Sequence, residues 1–149
     1  AHDVGKAINP LNCVAQIEGG VVMGIGSALH EEMVVDPSGK VRNPSFLDYH
    51  LATSLDIPEL ISIVVECAEP EGPYGAKEAG QGPLLPVVPA VANAVYDAIG
   101  VRIHEVPITP DKILRALDGR LKPTSIPDFK FPAPIKWQPG DGIEVAQKS

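Results

Sequence analysis

The sequence predicts an α+β fold, and three stretches with different hydrophobic periodicity carry that prediction. Apolar residues recur at helical spacing over residues 10–30 and again over residues 89–99. Between them, residues 59–67 alternate in the period-two pattern of a strand with at least one buried face. With 149 residues, of which 44% are hydrophobic, the chain is long enough for one domain with a core.

The first helix is predicted over residues 10–30, because Asn9 and Pro10 are typical of a helix entry. Apolar residues cover most of its surface, so we expect it to be buried. Four glycines, at positions 19, 20, 24 and 26, interrupt it. Each costs about 0.5–1 kcal/mol relative to Ala in a helix interior, which indicates close approach by another backbone or a ligand, or simply close packing.

The flanking segments are predicted from turn residues and alternation. Residues 1–5 are interpreted as the end of a strand entering a turn, and since no initiator Met precedes them, we expect a cut or split polypeptide. Residues 31–35 and the run from Lys40 onwards are predicted to form a hairpin around the turn Asp-Pro-Ser-Gly at 36–39. Residues 69–82 contain four glycines and two prolines, which excludes regular structure and indicates a loop.

The C-terminal third is predicted to be helix, strand, helix and tail. Gly100 ends the helix over 89–99, residues 101–108 follow as a strand, and Thr109 with Pro110 begins a helix of about eight residues that stops at Gly119. From residue 120 onwards, five prolines and few large aliphatic residues predict an extended arm. The anchors Phe129, Phe131 and Trp137 favour its docking on another surface.

Composition excludes several classes of function. A net charge of −7 without dense Lys/Arg clusters argues against a nucleic-acid surface. Cys13 and Cys67 are far apart and lack metal-ligand spacing, so we expect two buried thiols and neither a zinc site nor a disulfide. No apolar run of membrane-spanning length is present, and a cytoplasmic protein is expected. The four scattered histidines define no catalytic set.

Two glycine-containing stretches stand out as candidate sites: residues 3–20 and residues 72–82. A glycine-rich loop before a helix exposes N–H groups that suit phosphate or other polar ligand oxygens. The second stretch lacks the order of a P-loop, because Lys77 precedes its last glycines. A nucleotide-binding module therefore stays only a weak alternative.

The order of short motifs resembles the last portion of the large subunit of molybdenum hydroxylases, the xanthine dehydrogenase, aldehyde oxidase and 4-hydroxybenzoyl-CoA reductase family. The resemblance covers residues 1 to about 118 and is strongest to 4-hydroxybenzoyl-CoA reductase and its relatives. The motifs are Asp-Val-Gly at 3–5, Ile-Asn-Pro at 8–10, Ala-Gln-Ile-Glu-Gly-Gly at 15–20, Gly-Ile-Gly-Ser-Ala-Leu-His-Glu-Glu at 24–32, Asn-Pro-Ser-Phe-Leu-Asp-Tyr at 43–49, Asp-Ile-Pro at 56–58, Gly-Ala-Lys-Glu-Ala-Gly at 75–80 and Ile-Thr-Pro-Asp-Lys-Ile-Leu at 108–114.

The resemblance implies a molybdenum–pterin cofactor, in bacteria usually the cytosine dinucleotide form, with iron–sulfur clusters and often FAD on partner subunits. Gln16 resembles the amide that contacts the pterin, and Gly19, Gly20 and Gly80 would let the backbone approach; a solvated Gln on a helix is the alternative for Gln16. Lys77 and Glu78 would line the loop beside the metal, or form only a surface ion pair. No residue of this chain is expected to ligate the metal directly.

The sequence departs from the family at Gln81. Xanthine dehydrogenases carry a glutamate at this position, as the base of the hydroxylation reaction, and an amide cannot accept the proton. Three explanations stay open. Glu78 is the base; or Gln81 orients substrate in a reaction that needs no such base; or this branch has lost hydroxylation.

The sequence is therefore interpreted as part of a molybdenum-dependent oxidoreductase that is inactive as this chain alone. It would act on an aromatic, heterocyclic or aldehyde carbon, or dehydroxylate an aryl-CoA reductively. Residues 1–119 would belong to the molybdopterin-binding domain and supply one wall of the pterin site, with residues 120–149 as a proline-rich arm. The partners would be the remainder of the molybdenum subunit and iron–sulfur and flavin subunits. The alternative is a non-catalytic interaction subunit of a hetero-oligomer.

Overall fold

The computed structural model describes residues 1–119, which form three α-helices, a short 3-10 helix at Pro73–Gly75 and a small parallel strand pair. Strand β1 (His2–Asp3) pairs in parallel with β2 (Val64–Val65), with His2 opposite Val64. Helix α1 spans Pro10–Leu29, α2 spans Val87–Ile99 and α3 spans Pro110–Leu117. The α+β prediction is confirmed. The prediction of a proline-rich arm, with its anchors Phe129, Phe131 and Trp137, lies outside the described residues.

Helix α1 begins as the sequence predicts. The side chain of Asn9 accepts a hydrogen bond from the backbone N–H of Asn12, and Pro10 occupies the first turn. Its burial is less complete than its composition predicts, because Leu11 is 78% exposed while Ile17 and Ile25 are buried. The buried face is the one that meets α2 and the loop before it, so the prediction of an all-round buried helix is wrong for the described residues.

Two strand predictions are wrong in extent. The stretch 59–67 forms a strand only at Val64–Val65, and its alternate residues Ile61 and Ile63 are 78% and 53% exposed. The hairpin forms its turn, with the Asp36 N–H donating to the Lys40 carbonyl, but its arms are short: they meet at the bridge Val35–Val41 and in the hydrogen bond from the Arg42 N–H to the Val34 carbonyl. An alternating pattern predicts a strand only where a partner strand or a covering layer can bury its apolar face. Residues 1–119 provide neither for these two segments.

Helix α2 begins two residues before the predicted start and ends at Gly100, which adopts φ 70° as a left-handed cap. Close packing against α1 accounts for one of the interrupting glycines: a Cβ at Gly24 would lie 2.7 Å from Cγ1 of Val87. A Cβ at Gly20 would lie 3.1 Å from Cβ of Pro83, just before α2. Glycine therefore lets helix and loop approach closely at these positions.

The segment 101–108 is not a strand, contrary to prediction. It crosses the end of α1, where the Ile108 N–H donates to the Ala28 carbonyl at 2.6 Å. Ile103 and Ile108 are buried with Ala116 of α3, and this cluster forms the C-terminal core. Ile103 and Ile108 are thus buried by helices instead of by a neighbouring strand. Helix α3 starts as predicted, because the Thr109 side chain accepts from the Lys112 N–H.

The two cysteines are free thiols, but the prediction that both are buried is wrong, because Cys67 is exposed and Cys13 is partly exposed. Cys67 is exposed because it follows β2, on a segment that no described element covers. None of the helices in residues 1–119 has the length and apolar content that a membrane crossing requires.

Candidate functional site

The N-terminal segment, residues 4–6, forms backbone hydrogen bonds with the glycine-rich loop 72–82. The Lys6 N–H donates to the Gly75 carbonyl at 2.7 Å, and the Lys77 N–H donates to the Val4 carbonyl at 2.9 Å. Gly5 has φ 65°, and a Cβ there would collide with the carbonyl oxygen of Gly75. The two segments therefore cross backbone against backbone, which only glycine allows at this position.

An ion pair reinforces this crossing. Lys77 Nζ lies 2.6 Å from Oδ2 of Asp3, and both side chains are about one-third exposed. Oδ1 of the same carboxylate accepts the Gly5 N–H at 2.9 Å and the Cys67 N–H at 3.2 Å. The Lys77 ammonium, followed by the Gly5 N–H, lowers the pKa of Asp3, and the Asp3 carboxylate raises the pKa of Lys77. Asp3 thus ties together the strand pair and the loop.

Glu78 organises the other half of the loop. Its carboxylate accepts a short hydrogen bond from the Gln81 N–H and a second one, at 3.0 Å, from the Gly82 N–H. These donors, with Gln81 first, hold the pKa of Glu78 below its ordinary value. The His2 ring nitrogen Nε2 lies 2.9 Å from the Glu78 carbonyl oxygen. The carboxylate therefore acts here as an internal cap that curls residues 78–82.

This curl faces α1 across a cleft of about 530 Å³. A Cβ at Gly80 would lie 3.5 Å from the side-chain oxygen Oε1 of Gln16, so helix and loop approach closely. A Cβ at Gly19 would meet nothing within 4 Å, which leaves this helix backbone open toward the cleft. The lining consists of two amides, three glycines and three apolar side chains: Gln16, Gln81, Gly19, Gly20, Gly80, Met23, Leu84 and Leu85.

The structure brings together five of the seven predicted site residues. Gln16, Gly19, Gly20, Gly80 and Gln81 line the cleft. The two others are in the same loop but do not line it.

Glu78 lies under the curl, and Lys77 faces a neighbouring depression of about 220 Å³ that Gln16 also lines. The predicted surface ion pair exists in a different form, because Lys77 pairs with Asp3 and not with Glu78.

Sequence reasoning missed the role of Asp3 and the apolar side of the cleft. Asp3 belongs to the first of the two candidate stretches, but no periodicity relates it to Lys77, 74 positions later. Leu84 and Leu85 follow the loop in an apolar run that resembles a helix entry. The signal available in the sequence is the position of that run, which begins three residues after Gln81.

Comparison with protein families identifies the N-terminal part of the chain. Residues 1–58 match the model of the molybdopterin cofactor-binding domain. The putative xanthine dehydrogenase molybdenum-binding subunit XdhA of Escherichia coli (strain K12) is 49% identical over 113 residues, which are 75% of this chain and 15% of that protein. The aldehyde oxidoreductase molybdenum-binding subunit PaoC of the same strain is 38% identical over 115 residues, 76% of this chain and 16% of that protein.

The fold is similar to solved molybdenum enzymes. Quinoline 2-oxidoreductase from Pseudomonas putida 86 superimposes with a TM-score of 0.74 and 34% identity, over 80% of this chain and 16% of that one. The chain spans about 15% of the length of the curated relatives that it matches. With 49% identity to XdhA over 75% of its length, the chain belongs to the molybdopterin-binding subunits of the xanthine dehydrogenase and aldehyde oxidoreductase family.

Proposed function

We propose that this chain supplies one wall of the molybdenum–pterin site in an oxidoreductase that acts on an aromatic, heterocyclic or aldehyde carbon. The cleft between α1 and the loop 78–82 carries the proposal, because it joins two amides with open glycine backbone. Residues 1–119 would form part of the molybdopterin-binding domain, with residues 120–149 as a C-terminal arm. Reductive dehydroxylation of an aryl-CoA is the same chemistry in the opposite direction.

The residues of the cleft fit a pterin. A fused heterocycle with ring nitrogens and a carbonyl needs donors and acceptors at its edge, which Gln16 and Gln81 can supply in either sense. Its flat faces need apolar or backbone surface, which Leu84 and the open face of Gly19 offer. When bound, the group supplies two-electron redox chemistry, and the protein positions it.

We further propose that Glu78, in the loop that borders the cleft, is a positioning residue. Its carboxylate is engaged by two backbone N–H groups, and its pKa is lowered, which makes it a poorer proton acceptor. This supports the two explanations of Gln81 that do not need Glu78 as the base. Gln81 itself lines the cleft, where a carboxylate in its place would face the bound group.

The exposed apolar residues support partners for this chain. Phe46, Leu47 and Leu55 are 82%, 93% and 95% exposed, which is unusual for a surface that stays in water. We propose that the remainder of the molybdenum subunit covers them. We also propose that the partners include iron–sulfur and FAD subunits and that the cofactor is the cytosine dinucleotide form. The location that we propose is the cytoplasm.

The alternative of a non-catalytic interaction subunit would rest on the same exposed surface. Similarity to two subunits named as molybdenum-binding favours the enzyme.

The proposal is tested by metal and pterin analysis of the full assembly that contains this chain. We expect stoichiometric molybdenum, and in Gln16→Ala a severalfold lower content, since one hydrogen bond contributes about 0.5–1.5 kcal/mol. Asp97→Ala is the control, because Asp97 is exposed on α2 and does not line the cleft. An assembly without molybdenum, or equal losses in both variants, would overturn the proposal.

A further inference from the structure

A second group of potential ligands lies at the C-terminal end of α1, and it shares no residue with the cleft. His30 caps the helix, and His50 and Asp56 come from the irregular segment that follows the hairpin turn. One ligand atom from each residue lies within 4.8 Å of the ligand atoms of the other two. Three donors from two separate parts of the chain thus converge on one point.

The separations are close to those of a metal site. Nε2 of His50 lies 3.7 Å from Oδ2 of Asp56, and the His30 and His50 ring centroids are 4.9 Å apart at 61°. Tetrahedral zinc with bonds of about 2.0–2.2 Å places its ligand atoms roughly 3.3 Å apart. The widest pair therefore has to close by about 1.5 Å at most, which side-chain rotation can supply.

Neighbouring groups hold the ligands in place. The Thr53 N–H and hydroxyl donate to Oδ2 of Asp56 at 2.8 and 2.7 Å. The Tyr49 hydroxyl donates to Oε2 of Glu31 at 2.8 Å, which joins the segment of His50 to the residue after His30. Such hydrogen bonds to a ligand orient it in known metal sites.

From this geometry we propose that His30, His50 and Asp56 bind a divalent transition-metal ion, with zinc as the best fit. Two imidazoles and one carboxylate form a ligand set that zinc accepts, and they leave a fourth position for water. Within residues 1–119 the His50 side chain is 56% exposed, so no neighbouring side chain of these residues fills the space beside its ring. Bound metal would tie the irregular segment 49–56 to the end of α1. The inference does not depend on the function proposed for the cleft.

The test is a zinc titration of the full protein that contains this chain, after removal of loosely bound metal with EDTA. Isothermal titration calorimetry of the parent protein should show one site that His50→Ala and Asp56→Asn remove, each lowering affinity by at least about 100-fold. Thr53→Val keeps all three ligands but loses the hydroxyl, and it should lower affinity by about 10–100-fold. His104→Ala removes an exposed histidine outside the group and should leave affinity unchanged.

Hydrogen exchange of residues 49–56 gives a second measurement, because zinc should slow it in the parent protein and not in His50→Ala. His50 and Asp56 are on the surface segment, so their variants report on binding even if His30→Ala fails to fold. Equal zinc affinity in the parent, His50→Ala and Asp56→Asn overturns the site. So does an equal loss in His104→Ala.

Discussion

The carboxylate of Asp3 and the ammonium of Lys77, 2.6 Å apart, join the first strand to the loop that borders the cleft. Asp3 also accepts the N–H groups of Gly5 and Cys67, so one side chain contacts three segments of the chain. The position of the loop is therefore set by residues that come more than 70 positions earlier in the sequence.

Removing the Lys77 charge should loosen the loop. In Lys77→Met we expect backbone amides of residues 75–82 to exchange hydrogen up to about fivefold faster, the range of a partly exposed ion pair. Lys40→Met makes the same change in an exposed lysine directly after the 36–39 turn and should leave the loop unchanged. Hydrogen-exchange mass spectrometry measures both, and equal rates in Lys77→Met and the parent protein would contradict the role of the pair.

Acid should release the same loop. The pKa values of Asp3 and Glu78 are lowered in the folded protein, so their stabilisation is complete above the ordinary carboxyl range near pH 4. It is lost as the pH falls through the lowered folded values. Exchange of residues 75–82, corrected for its intrinsic pH dependence, should thus rise below about pH 4. A loop whose corrected exchange is constant from pH 7 to pH 3 would argue against both contacts.

The identity of residue 81 should decide turnover. In the assembled enzyme we expect Gln81→Glu to raise hydroxylation of aromatic heterocycles or aldehydes by about 100-fold, the lower end of what a general base contributes. Gln81→Met is the matched control and should give no gain. Lower turnover in Gln81→Glu at unchanged molybdenum content would instead identify Gln81 as a residue that orients substrate.

Replacing Glu78 separates positioning from proton transfer. Glu78→Gln should speed exchange of residues 78–82 and lower cofactor content, because a neutral amide is a weaker acceptor for the Gln81 and Gly82 N–H groups. Glu71→Gln, in the same loop, should change neither quantity. If Glu78→Gln abolished turnover with loop exchange and molybdenum content intact, Glu78 would be the base.

Two glycines of α1 should respond oppositely to alanine. Gly24→Ala places a methyl group against Val87 and should destabilise the protein by about 1–3 kcal/mol. Gly19→Ala meets nothing within 4 Å and should stabilise the helix by about 0.5–1 kcal/mol. Thermal unfolding of the two variants measures the difference. Lower molybdenum content in Gly19→Ala alone would further support its place beside the cofactor.

The helices could be predicted from sequence because their signals are local. Asn9, Thr109 and Gly100 cap helices within three or four residues of the groups that they satisfy. The strands could not be predicted in extent, because a strand needs a partner. Residues 101–108 have strand composition, yet the side chains of Ile103 and Ile108 are buried against α1, α2 and α3.

The candidate site was predictable in its amides and glycines, which the family resemblance identified by position. The sequence did not reveal the contacts that place them. Asp3 with Lys77 and His2 with Glu78 join residues more than 70 positions apart, and their pairing depends on the path of the chain. The cluster of His30, His50 and Asp56 was missed for the same reason, since its spacing of 20 and 6 positions fits no metal motif.

The crossing of Gly5 over Gly75 has a mechanical consequence. Because the two backbones touch with no side chain between them, a shift of β1 along β2 cannot be absorbed by rotamer changes at the crossing. Residues 75–78 would have to move together with β1, and this movement would change the opening of the cleft. The register of the β1–β2 pair, with His2 opposite Val64, therefore sets the distance between the loop and α1.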